Sequence, residues 1–161
     1  TRKESSAASD VYKRQDQAYV WERGNRDLRY EVEMEGFTVQ EGESTFAACI
    51  RQILVLEGKS VNVAEEMNAG KSAIDILSEY SGGEGMDLTG CTTEEMLYII
   101  GRGTPVIAMT DSSNAVLLIG YDTSTVTYID PADGGVHTST AEEIDSMVAG
   151  SGHTFIGYVK P

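Results

Sequence analysis

The segment NAVLLIGYDTSTVTYIDPADGG, residues 114–135, constrains the fold more than any other stretch of the chain. An apolar run from Ala115 to Tyr121, a polar turn through Asp122, Thr123 and Ser124, and a second run from Val126 to Ile129 read as a β-hairpin. Asp130-Pro131 and the Gly134-Gly135 pair stop the second strand. Both runs are rich in β-branched and aromatic residues, and the first has almost no polar alternation. A strand of that kind belongs in the middle of a sheet covered on both faces. The rest of the chain has to supply the cover.

Helices suited to that task flank the hairpin. In QEGESTFAACIRQILVLEG, residues 40–58, Phe46, Cys49, Ile50, Ile53 and Leu54 have the spacing of one buried helical face, and Gly58 closes the segment. Shorter helices are expected over 63–68 and 72–80, then a short strand over 86–88. Thr92 with Glu95, and Thr140 with Glu143, form capping boxes for a helix within 91–103, ended by Gly101 or Gly103, and for one over 141–149. Strands are expected over 104–110 and 154–159. Residues 17–39 read as an extended arm or two short strands, around Tyr19 to Trp21 and Tyr30 to Met34.

With these residues in place, the chain resembles the papain-like cysteine peptidases of the double-glycine-leader type, which process bacteriocin precursors. The likeness rests on a residue before Ala115-Val116, a strand ending Gly120-Tyr121-Asp122, a second strand ending Asp130-Pro131, and the preceding helix and Gly-x-Pro-Val strand at 103–106. It covers residues 40–161 and implies an α+β, papain-like fold, with helices packed on a mainly antiparallel sheet. In that family the residue opening the first hairpin strand is the catalytic histidine, and the aspartate before proline orients it. A cysteine at the helix start is the nucleophile, and a glutamine upstream builds the oxyanion hole. Asp130 matches the aspartate and Gln40 resembles the glutamine, but Asn114 holds the histidine position. Superposing the helix and its closing Gly58 puts Ser44 at the cysteine and Thr45 at the glycine after it.

An asparagine cannot accept and return a proton near neutral pH, and a serine hydroxyl without an adjacent base is too weak an acid to attack an amide. The resemblance therefore implies a peptidase fold that no longer cuts. Such a domain would recognise a peptide in the former cleft, or serve as a structural module of a larger extracytoplasmic protein. In this reading Ser44 caps its helix, and Asn114 hydrogen-bonds Ser44 and Asp130. The alternative is a residual or altered hydrolase using Ser44, or a rearranged dyad of Ser44 with His137.

The remaining features exclude more than they assign. The net charge of −14 disfavours nucleic acid and anionic lipid as partners. No apolar run is long enough to cross a membrane. Gly70-Lys71-Ser72 lacks the earlier glycine of a phosphate-binding loop, since Glu65 stands there, and DPADGG lacks the alternating ligands of a calcium loop. No Cys or His spacing fits zinc, and no cofactor is called for. His137 and His153 both follow Asp130 and read as surface or satisfied polar residues. Two readings stay open for Cys49 and Cys91: buried inert thiols or, in a secreted protein, a disulfide joining them. Residues 1–16 read as a disordered tail, and SSAASDVYKRQ within them resembles translated sequencing-adapter sequence, in which case the natural amino terminus is missing.

Overall fold

The computed structural model describes residues 29–161; the expected tail over 1–16 and the strand near Trp21 lie outside the described residues. In chain order the elements are β1 (Tyr30–Glu31), α1 (Thr45–Leu56), α2 (Val63–Asn68), α3 (Ala73–Tyr80), β2 (Glu84–Asp87) and α4 (Thr93–Ile100). There follow β3 (Val106–Met109), β4 (Ala115–Tyr121), β5 (Val126–Asp130), β6 (Gly135–Ser139), α5 (Ala141–Val148), a 3-10 turn (Ala149–Ser151) and β7 (Phe155–Val159). The strands form one antiparallel sheet in the order β2-β7-β3-β4-β5-β6, with β1 added to the end of β4.

The two-sided burial expected of the hairpin strand is present, since all residues of β4 are buried. Alternation along the strands sorts their side chains into two cores. Ile107, Met109, Leu117 and Ile156 face one way, under α1 and α3. Val106, Ala108, Val116 and Phe155 face the other way, under α4 and α5. Each fully buried Ile or Leu contributes roughly 1.5–3 kcal/mol of transfer free energy, so the two layers reinforce one sheet. The register of β4 against β5 shifts between Leu118 and Gly120. That irregularity turns Tyr121 to the α4 side, although simple alternation from Leu117 would send it to the other. A Cβ on Gly120 would lie 2.7 Å from the Tyr30 carbonyl oxygen, so only glycine lets β1 close against β4 here.

The arm ahead of Gln40 is part of the packed structure. Val32 and Phe37 are buried in the core under α1, and the Val32 N–H donates to the Ile119 carbonyl at 2.7 Å. α1 ends as its glycine foretold. Gly58 adopts φ 81°, its N–H donates to Val55, and the Lys59 N–H donates to Leu54, which together make a Schellman cap. Both capping boxes form at Thr92 and Thr140. The buried Thr93 donates from its N–H and its hydroxyl to Asp145 Oδ1, at 2.8 and 2.7 Å, and so ties the start of α4 to α5. The Tyr158 hydroxyl and the Lys160 Nζ both donate to the Glu57 carboxylate, which fastens β7 to the end of α1.

The cysteines do not form a disulfide. Both are buried thiols, Cys49 in the core under α1 and Cys91 in the core on the opposite side of the sheet. A disulfide needs Cα atoms within about 7 Å, and a covered sheet lies between these two. Burial first, then the charges of Asp130 and Glu43, pushes the Cys49 thiol well above its ordinary pKa. Neither thiol of the folded protein is expected to react with iodoacetamide near neutral pH, whereas both should react once guanidinium unfolds the chain. Mass spectrometry of native and unfolded samples checks this, and labelling of the native protein would contradict it.

Candidate functional site

α1 and β4 meet at their amino-terminal ends, and that junction holds the residues expected to matter. Ser44 is the N-cap of α1: its backbone is extended, and its Oγ accepts the Ala47 N–H at 3.0 Å. That bond turns the hydroxyl along the helix and satisfies one of the exposed amides of its first turn. The next residue does what Ser44 was expected to do. Thr45 Oγ1 donates to Asn114 Oδ1 at 3.0 Å and accepts the Ala115 N–H at 2.9 Å. The side chain that crosses from the start of α1 to β4 is therefore that of Thr45, one residue later than periodicity and the closing Gly58 suggested.

Asn114 is held on its other side by Asp111, a residue the sequence reading did not single out. Asn114 Nδ2 donates to Asp111 Oδ2 at 2.9 Å and Oδ1 at 3.2 Å. Asp111 Oδ1 also accepts the backbone N–H groups of Ser113 and Asn114, at 2.9 and 2.8 Å. Asp111 thus builds the β3–β4 turn as an Asx turn and fixes the amide at its end. An ionised carboxylate only accepts, so the NH₂ end of Asn114 must face Asp111, and its oxygen is left for the threonine hydroxyl. The Asn114 side-chain bond, followed by the two backbone bonds, holds the Asp111 carboxyl below the usual carboxylate range. Spacing could have flagged it: an Asp two residues before Ser113 and three before Asn114 is where an Asx turn needs its acceptor.

The expected bonds from Asn114 to Ser44 and Asp130 are absent. Asp130 ends β5 with its Oδ1 on the Ala132 N–H at 2.9 Å, and its carbonyl accepts from Asp133 and Gly134. Its Oδ1 is thus engaged in its own Asp-Pro turn. Gln40 lies exposed at the turn before α1; its N–H donates to Glu43 Oε1, and its carbonyl accepts the Glu43 N–H. Arg51 reaches back from α1 to grip this turn, with Nε on Glu43 Oε2 at 2.7 Å and Nη2 on both Glu43 Oε1 and the Thr38 carbonyl.

Neither histidine enters the site. His137 lies on edge strand β6, with Nε2 2.9 Å from Asp133 Oδ2 and its ring stacked on Tyr128. His153, at φ 59°, belongs to the turn before β7. The Ser44–His137 dyad is not assembled. Among the described residues no group of three or more His, Cys, Asp or Glu is placed to hold a metal ion.

Beside the junction opens a cavity of about 350 Å³ lined by Met109, Asp111, Ser112, Gly150, Ser151, Thr154 and Ile156. A helix start facing the start of a central antiparallel strand, with helices on both sheet faces, is the arrangement of an α+β fold of the papain-like kind. A solved structure has the same architecture: a protein from Bacillus anthracis provisionally assigned as a C39-like peptidase. It superposes with a TM-score of 0.64 at 18% identity, over 84% of this chain and 99% of that one. At that identity the likeness is one of fold. No protein-family model matches the chain, and no curated protein does.

Proposed function

We propose that the chain is a catalytically inactive peptidase-like domain that recognises a peptide across the junction of α1 and β4. One observation supports this reading: the Thr45 hydroxyl, the Asn114 amide and the Asp111 carboxylate form a hydrogen-bonded row at the junction, with an amide where a nucleophilic hydroxyl would need a base. Thr45 can lose its proton only to an amide oxygen, which is not a base near neutral pH. Asp111 is separated from the hydroxyl by that amide, and its depressed pKa makes it a poor proton acceptor. In this reading the hydrogen bonds order the site without activating it. Peptide recognition needs less, namely an accessible cleft and backbone groups to pair with an extended chain. The exposed turn 111–114 and the adjacent cavity supply that opening.

The test incubates the full chain with a mixed peptide pool that includes leader peptides ending in Gly-Gly, and reads both new termini and retained peptides by mass spectrometry. Retained, uncut peptides are the expected result. New termini that vanish in Thr45→Ala, or in Ser44→Ala, would overturn inactivity and assign the nucleophile. Ser44→Ala should otherwise cost only the cap, about 1 kcal/mol. A domain that neither cuts nor retains any peptide would be structural, and the recognition reading would fall.

A further inference from the structure

We propose that the cavity beside Asp111 takes an apolar side chain of a cationic peptide, whose neighbouring lysine or arginine pairs with the Asp111 carboxylate. The inference rests on the recognition reading above and names the peptide class. The floor of the cavity is Met109 and Ile156, from the middle strands β3 and β7 on the face that α1 covers. Its rim carries hydroxyls, but two of them are already engaged. Ser151 Oγ is shared between the Met109 and Val148 carbonyls and accepts the Thr154 N–H. Thr154 Oγ1 donates to the Ser151 carbonyl at 2.9 Å.

The carboxylate of Asp111 has acceptor capacity to spare. Its Oδ1 receives three N–H groups and its Oδ2 receives Asn114 Nδ2, with the Ser113 hydroxyl also close to the carboxylate. Two lone pairs sit on each carboxylate oxygen, so Oδ2 keeps one for a ligand donor. A cationic donor there makes a charge-assisted bond, which an uncharged one does not. No Lys or Arg lines the cavity, and the chain as a whole carries −14. The field therefore draws a cationic peptide toward the opening and repels an acidic one. Glycines would leave the floor uncovered, so the pocket favours a peptide with a bulky aliphatic or aromatic residue over one ending in Gly-Gly.

The experiment measures fluorescence anisotropy of the full chain with three short labelled peptides: leucine alternating with lysine, leucine with glutamate, and glycine with lysine. Only the leucine–lysine peptide is expected to bind. Asp111→Asn keeps the shape of the turn and should weaken that peptide roughly three- to tenfold and flatten its salt dependence. Ser112→Trp places a large side chain on an exposed rim position and should abolish binding, with circular dichroism confirming the fold. Equal binding of the leucine–glutamate or glycine–lysine peptide, or indifference to either substitution, overturns the pocket assignment and leaves recognition standing. Failure of all three peptides while pool peptides are retained has the same meaning. Failure of all three with an empty pool result overturns both.

Discussion

Replacing Thr45 by Cys and Asn114 by His in one chain is expected to create a thiol that iodoacetamide alkylates at about pH 6 tenfold or more faster than in Thr45→Cys alone. The existing geometry is the reason. Thr45 Oγ1 lies 3.0 Å from Asn114 Oδ1, and a histidine in the same rotamer puts Nδ1 where that oxygen is. A thiol at the first position of α1 also sits at the positive end of the helix, whose first turn contains no acidic residue. Helix start and imidazolium both favour the thiolate, so the alkylation profile should flatten toward low pH, while the single variant keeps rising toward the ordinary thiol pKa. Cys49 and Cys91 are buried and should stay silent, which leaves one signal to follow. Ser44→Cys with Asn114→His is the control. Ser44 points its side chain at the Ala47 N–H, and that pair should gain nothing. Equal gains at both positions would mean that Thr45 holds no privileged place opposite β4.

The offset of one residue shows where sequence rules stop. The hairpin of β4 and β5, the Schellman glycine of α1 and the capping boxes at Thr92 and Thr140 were all legible, because each depends on neighbours within a few positions. Ser44 also met a local rule, that of the N-cap. A capping side chain is committed to its own helix, so the side chain free to cross to another element belongs to the next residue. Thr45 was within reach of that logic, whereas its partner across 69 residues was not. Asp111 had a legible turn spacing, but its grip on the Asn114 amide depends on how β3 delivers the chain to β4. The pairing of Cys49 with Cys91 failed on a matter of sides. α1 covers one face of the sheet and α4 the other, and periodicity within a helix does not say which face it will cover. Asp130 ends β5, as the Asp-Pro stop signal indicated, and its Oδ1 turns into the following turn.

Arg51→Met is expected to lower the free energy of unfolding by roughly 2–4 kcal/mol, read as a reduced urea midpoint with an unchanged slope. The Arg51 and Glu43 side chains are only 14% and 4% exposed, and they join through two hydrogen bonds, at 2.7 and 3.0 Å. Without the guanidinium, Glu43 stays in a nearly dry place with the Gln40 N–H as its remaining donor. An unpaired charge there costs more than the ion pair was worth, because desolvation is no longer offset. Changing Glu43→Gln alongside Arg51→Met removes that charge, so the double variant should be more stable than the single. If the two are equally destabilised, Arg51 acts through its packing and its bond to the Thr38 carbonyl, not through charge. The clamp also bears on the site. It holds the turn of Gln40 against α1 immediately before Ser44 and Thr45, so loosening it should reduce peptide retention at temperatures where the variant is still folded. Retention that survives in the folded single variant would show that the turn before α1 takes no part in recognition, and would confine the binding surface to the Asp111 side.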